Sequence, residues 1–137
     1  MLFSGRGLGP GLVTQTARQV LGADGERLAR RHLEQRGYRF VAANWRRPYG
    51  ELDLIMRDGD ALVFVEVKTR RGEQHVAAEE SLTAAQARRL LLAAQSFLAE
   101  RADLAGLFWR IDLVAVTLSP TGAVSRLTHI VDAVRSG

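Results

Sequence analysis

Two runs of strand composition, Glu51–Arg57 and Ala61–Thr69, meet across Asp58-Gly59-Asp60. Asp-Gly between apolar alternations is the strongest short-range signal for a β-hairpin, and no other stretch of the chain constrains the fold as tightly. Side chains alternate between the two faces of a strand. In the second run Leu62, Phe64, Glu66 and Lys68 share one face and Val63, Val65 and Val67 the other. Both faces begin apolar, as in a central strand covered on both sides. In the first run Glu51, Asp53 and Ile55 share a face, and Leu52, Leu54 and Met56 take the other.

The register of the hairpin decides which charges meet. A two-residue Asp58-Gly59 turn pairs Arg57 with Asp60 and sets Glu51 opposite Glu66. A four-residue loop sets Asp53 opposite Glu66 instead. Either way Asp53, Glu66 and Lys68 become close neighbours on one face. A three-residue loop with a bulge shifts the pairing by one and separates them.

The flanking chain supplies helices and further strands. A helical period runs from Arg18 to Arg36, with Gly37 at the expected stop. Tyr38–Trp45 reads as a strand and Arg46-Arg47-Pro48-Tyr49-Gly50 as a loop. Arg70–Glu80 is a polar loop, and Thr83–Arg101 is an amphipathic helix with Leu90, Leu91, Ala94, Phe97 and Leu98 on its core side. Arg110–Leu118 and Ala123–Val131 read as strands around the Ser119-Pro120-Thr121-Gly122 turn. The expected order is α-β-β-β-α-β-β, an α/β domain with a mixed five-stranded sheet flanked by helices. Residues 1–16, rich in glycine, read as a flexible leader, and 17–137 as one domain.

Composition excludes several functions. The 137 residues contain no cysteine, so disulfide scaffolds, thiolate zinc sites and cysteine nucleophiles are excluded together. No run approaches the ~18 apolar residues of a membrane span, and the N-terminus lacks the apolar core of a secretory signal. The expectation is a cytoplasmic protein with no membrane partner. Acyl-transfer, P-loop and dinucleotide-binding motifs are missing. Residues 1–50 hold nine arginines against three acids, a local +6, whereas 51–137 hold ten basic and twelve acidic residues, a local −2. A basic front half suits a polyanion such as nucleic acid, with carboxylates kept for chemistry behind it. A solvated helix face with a basic tail is the plainer alternative. Of the nineteen basic residues, Lys68 is the one lysine, and lysine differs from arginine as a compact point charge on a thin stem.

Two carboxylates about 5 Å apart repel by about 3 kcal/mol at an effective dielectric of 20. A shared proton, an intervening cation or good solvation relieves that. Asp53 and Glu66, with no His or Cys beside them, suit a hard ion, Mg²⁺ or Mn²⁺. Lys68 can orient an attacking water or stabilise developing negative charge, and metal-assisted phosphodiester hydrolysis requires those parts. The competing reading is an ion pair of Lys68 with either acid at a sheet edge. Arg46, Arg47, Arg70 and Arg71 flank the open end of the hairpin, where they can clamp phosphates. Trp45 and Tyr49 are candidates for base stacking, although a tryptophan at a strand end is more often core. Arg88 and Arg89 splay to either side of their helix and read as solvated. His75 is at most a helper in the loop after Lys68.

Asp53 followed by Glu66-Val67-Lys68 resembles the PD-(D/E)xK nuclease signature. More specifically, the chain resembles the YraN-like family of small bacterial proteins, predicted relatives of Holliday-junction resolvases with a restriction-endonuclease-like fold. The resemblance rests on Gly22–Ala29, Asn44-Trp45-Arg46, Gly50–Ile55, Val63–Arg70 and Arg110–Val116, in family order over residues 20–118. It implies a restriction-endonuclease-like domain and Mg²⁺- or Mn²⁺-dependent endonuclease cleavage of DNA, branched or otherwise structured. Asp53 and Glu66 would then be metal ligands and catalytic, with Lys68 the catalytic lysine. Glu26 would be a further ligand from the first helix, against a plainer pairing with Arg30 at i+4. Glu51 is either an acid behind the ligands or a strand-start charge. The family usually has a lysine near the start of the second long helix, where this chain has Gln86. Gln86 is either a phosphate or water contact or part of a Thr83 capping box. A resolvase cuts two strands symmetrically, which implies a homodimer. The alternatives are a nucleic-acid-binding module that cuts nothing and a protein-interaction module.

Overall fold

The computed structural model describes residues 17–72 and 82–134, with side chains from residue 24 onward. The expected leader at 1–16 and His75 lie outside the described residues. Helix α1 (Ala17–Gln35) is followed by strands β1 (Arg39–Arg47), β2 (Gly50–Asp58) and β3 (Ala61–Arg71), helix α2 (Ala84–Glu100), and strands β4 (Phe108–Leu118) and β5 (Val124–Ile130). The sheet is mixed and its strands lie in sequence order. β1, β2 and β3 form an antiparallel meander, β4 joins β3 in parallel, and β5 returns antiparallel. A parallel neighbour requires a long crossover, which the segment containing α2 supplies. Both the α/β class and the element order match the reading of the sequence. Among the described residues, no helix is long and apolar enough to cross a membrane.

Local chemistry sets the element ends. Gly37, at φ 93°, closes α1 with a Schellman motif: Tyr38 N–H donates to Leu33 O and Gly37 N–H to Glu34 O, both at 3.0 Å. At the start of α2, Gln86 N–H donates to Thr83 Oγ1 and Thr83 N–H donates back to Gln86 Oε1, a full capping box.

Each face of the sheet is covered by one helix. Beneath α2, Leu52, Ile55, Leu62, Phe64 and Ile111 pack on Leu90, Ala93, Ala94 and Phe97. Phe97 meets Trp45 and Phe64 edge-to-face at 5.8 and 5.7 Å. Beneath α1, Leu54, Met56, Val63, Val65, Val114 and Val116 pack on Ala29 and Leu33. β3 is therefore the central strand that its two apolar faces suggest.

Four details differ from the sequence reading. β1 runs on through Arg46 and Arg47, because Arg47 pairs with Gly50 across a two-residue Pro48-Tyr49 turn. β3 continues through Arg70 and Arg71, held by pairing with Thr117 and Leu118. The hairpin turn is Gly59-Asp60, with Asp58 paired to Ala61, one residue later than Asp58-Gly59. Gly59, at φ 59°, takes the first central position, where a type II′ turn requires glycine. Finally, Leu52 leaves the face of Leu54 and Met56 and packs beneath α2 with Ile55. The alternation slips at Asp53, where the facing Asn44 of β1 takes φ 53°, a left-handed conformation that asparagine tolerates.

Candidate functional site

The site begins where the central hairpin comes apart. The ladder between β2 and β3 ends at Leu54–Val65. Continuing that register by one residue sets Asp53 opposite Glu66, the pairing expected for the longer loop but reached with a shorter turn. Here the backbone no longer closes the ladder. Val67 N–H donates instead to Asp53 Oδ2 at 3.0 Å, so the carboxylate fills the fork between two diverging strands.

Three of the expected residues come together in this fork. Glu66 is hydrogen-bonded to Asp53, and Lys68 Nζ stands 3.5 Å from Glu66 Oε2. The side chains of Lys68 and Glu66 are 19% and 17% exposed. Burial, then the hydrogen bond and charge of Asp53, push the Glu66 carboxyl up to about 8 against the opposing Lys68. Two carboxyl groups can hydrogen-bond only if one carries a proton, and burial together with the charge of Asp53 favours the protonated form of Glu66.

Glu26 approaches from the α1 side. Gly25 beside it lies so close to β3 that a Cβ there would stand 1.9 Å from Thr69 Oγ1. Only glycine permits this approach, and it brings Glu26 within the field of Asp53. Burial and then Asp53 push Glu26 up to about 7, against Arg46 and a hydrogen bond to Asn44. The pairing of Glu26 with Arg30 is not made. Arg30 pairs with Glu34 at 3.4 Å and lies 3.6 Å over the Phe40 ring.

Among the described residues, no three His, Asp or Glu side chains form a ready-made cage for a metal ion. Asp53 and Glu66 are the close pair, with Glu26 beyond Asp53. Mg²⁺ ordinarily takes one or two carboxylates and keeps water for its other positions, so this hard-oxygen pair fits Mg²⁺ or Mn²⁺. The protons crowded onto Glu66 and Glu26 are what a divalent cation would displace.

A cavity of about 520 Å³ opens over the fork. β2 and β3 line it with Asp53, Glu66 and Lys68, α2 with Gln86 and Arg89, and the β1–β2 turn with Arg47 and Tyr49. Gln86 forms the capping box and also lines the cavity. Its Oε1 is engaged by the Thr83 N–H, which leaves the amide NH₂ available on the cavity side.

The expected arginine clamp is distributed differently. Arg46 pairs with Glu51 at 3.2 Å on the surface. Arg47 lines the cavity, but Glu100 binds it through both Nε, at 2.8 Å, and Nη2. Arg70 and Arg71 sit on β3 beyond Lys68, outside the cavity lining. Arg89, read from sequence as solvated, is exposed, and it also lines the cavity three residues after Gln86. Its spacing from Gln86 was the available signal, since i and i+3 share a helix face. Trp45 is half-buried against Phe97, as a core residue.

A second buried acid stands on the α1 side of the sheet. Asp112 of β4 is wholly buried. It accepts from Arg110 Nε at 3.0 Å and Asp132 N–H at 2.9 Å, and His129 Nε2 lies 2.8 Å from its Oδ2. Burial pushes Asp112 up, but these three partners outweigh it and hold the carboxyl below its usual range. Arg110 also donates to Tyr38 Oη at 2.9 Å and to Asp58 at 3.3 Å.

Residues 25–116 match the model of the family described as Uncharacterised protein family UPF0102. A UPF0102 protein of Pelotomaculum thermopropionicum is 44% identical over 117 residues, covering 85% of this chain and 97% of the relative. A UPF0102 protein of Yersinia pseudotuberculosis is 53% identical over 97 residues, covering 70% and 83%. One of Rhodococcus jostii is 43% identical over 117 residues, covering 83% and 95%.

Proposed function

The chain belongs to the uncharacterised protein family UPF0102, and on that footing we propose that it is a divalent-metal-dependent endonuclease of restriction-endonuclease-like fold, cleaving branched or otherwise structured DNA in the cytoplasm. The observation that carries this reading is the convergence of Asp53, Glu66 and Lys68 in the strand fork, beneath one open cavity. The ion pair of Lys68 with Glu66 is made, but not at a sheet edge. β3 is central, and pairing Lys68 with Glu66 leaves Asp53 and Glu26 crowding the same charge. The resemblance to YraN-like proteins, and through them to Holliday-junction resolvases, supports the same conclusion.

Each group has a part in phosphodiester hydrolysis. Asp53 and Glu66 would hold Mg²⁺ or Mn²⁺, with Glu26 adding negative field from the α1 side. That ion supplies Lewis acidity and a more acidic water. Lys68 orients the attacking water and offsets negative charge that develops on the phosphate. Arg89 lines the cavity to hold a phosphate oxygen, and the Gln86 amide donates beside it. The basic first fifty residues draw the polyanion in. A symmetric substrate calls for two copies of the chain, so the active form is a homodimer.

Calorimetric titration of Mg²⁺ and Mn²⁺ into wild type and Asp53→Ala, alongside cleavage of branched, flapped and linear DNA, tests the proposal. Metal binding lost in the variant, with metal-dependent nicking by wild type, is the expected result. DNA binding with neither metal binding nor cleavage would leave a binding module. Absence of both activities would point to a protein-interaction module.

A further inference from the structure

Tyr49 stands at the mouth of the cavity, 58% exposed. An aromatic side chain that open to water is usually free to move, yet this one is anchored. Glu100, the last residue of α2, accepts the Tyr49 hydroxyl at 3.4 Å. The same carboxylate binds Arg47 through two guanidinium nitrogens and hydrogen-bonds the Trp45 side chain. Arg47 in turn lies 4.7 Å over the Trp45 ring. Pro48 limits φ within the two-residue turn. Beyond it Gly50 lies so close to α2 that a Cβ would stand 3.2 Å from Ala93 Cβ. The turn is thus tied to α2 on both sides of Tyr49. Its hydroxyl is held, while most of the residue remains uncovered beside Lys68 and Arg89 across the cavity.

We infer that Tyr49 is a stacking platform for a base, and that the site takes nucleic acid with at least one unpaired nucleotide beside the phosphate held near Lys68 and Arg89. Within a continuous duplex each base face is covered by its neighbours. Only an unstacked base can offer a face to an aromatic side chain. Glu100 is a positioning residue that acts through Arg47 and the Tyr49 hydroxyl. Binding Arg47 so completely also removes that arginine from the phosphate clamp, which explains an acid at the rim of a site for a polyanion. The inference rests on the nuclease reading for its choice of ligand and narrows it to one class of structured DNA.

The test uses the full chain in EDTA, where binding is measured without cleavage. Fluorescence anisotropy compares a continuous duplex with the same duplex bearing a single-stranded flap, with 2-aminopurine at the first unpaired position. The flap should bind more tightly and its 2-aminopurine should be quenched. Tyr49→Ala should weaken flap binding about tenfold, bring it to the level of the duplex and restore the fluorescence. Tyr49→Phe should keep most of the preference, and Glu100→Gln should lose part of it. Equal affinity of wild type for flap and duplex, or a Tyr49→Ala protein that still prefers the flap, would overturn the inference. A parallel arm in Mg²⁺ reads cleavage separately. A flap preference without cleavage would sink the nuclease reading alone, and cleavage without the preference would sink this one alone.

Discussion

Glu66 and Asp112 lie on paired strands, one register position apart, with Val65 opposite Asp112 and Glu66 opposite Leu113. They face opposite sides of the sheet and meet opposite electrostatic treatment. Asp112 has a guanidinium, an imidazole and a backbone N–H around it, and stays ionised although no part of it reaches water. Glu66 has one ammonium and a second carboxyl, and keeps its proton up to about 8. A satisfied buried acid ties elements together: here the start and middle of β4, the end of β5 and, through Arg110, Tyr38 and Asp58. Crowded acids with too little positive charge hold on to a proton instead. Burial of charge alone does not distinguish structure from chemistry; the completeness of its partners does.

The largest effect expected from this contrast is on activity. Asp53→Ala or Lys68→Ala should lower metal-dependent DNA cleavage by about 100-fold or more, while costing less stability in the absence of metal than an Asp112 variant does. A loss of stability comparable to that of an Asp112 variant would break the comparison. Asp112→Ala should cost about 3–5 kcal/mol in urea unfolding, because Arg110 and His129 lose their buried partner. Activity assayed well below the new midpoint should survive.

A smaller effect links the two helices to the site. Gly25→Ala places a methyl group against Thr69 Oγ1 and should cost about 1–3 kcal/mol. Adding Thr69→Ala should recover part of that loss, as a double-mutant cycle would measure. A fully additive pair would mean that the close approach of α1 and β3 does not position Glu26.

The smallest effect is the sharpest in sign. Glu66 titrates higher in the folded chain than its ordinary value of 4.5. Between that value and about 8 the native state binds more protons than the unfolded one. Its contribution to stability is therefore full below the ordinary carboxylate range and is lost as pH rises towards 8. Asp112, held low, contributes above its unfolded value and loses that contribution as pH falls through its folded value. Metal-free Glu66→Gln should flatten the fall in stability between about pH 4.5 and 8 relative to wild type and leave the acid limb below about pH 4 unchanged. Equal slopes for the two proteins between about pH 4.5 and 8 would contradict the raised titration of Glu66.

Much of this molecule was legible in its residues, and the illegible parts share a cause. The α-β-β-β-α-β-β order followed from local periodicity, Gly37 and the Thr83 cap. The convergence of Asp53, Glu66 and Lys68 needed only a hairpin and strand alternation, because residues joined by a tight turn have few ways to pair. The register itself was open among an Asp58-Gly59 turn, a four-residue loop and a bulged three-residue loop; the structure pairs Asp58 with Ala61 across Gly59-Asp60, a turn not among them, and so reaches the register of the four-residue loop. Leu52 changed sides where the alternation of β2 slips, opposite the positive φ of Asn44 on the neighbouring strand, which no local period records.

The partners of the charges were harder still. Glu100 meets Arg47 across 53 positions of sequence, and Asp112 meets His129 across 17. No local period records such pairs, so an arginine bound to a carboxylate and one lining the cavity look alike in the chain. By itself the sequence determined which elements form and which acids share the central hairpin, because those depend on neighbours a few residues apart. Only the tertiary structure decided that Glu26 feels the charge of Asp53, that Glu100 binds Arg47 while Arg89 lines the cavity, and that Tyr49 is held at the rim. Each of these depends on how a helix lies against the sheet, which is settled by packing between residues distant in sequence.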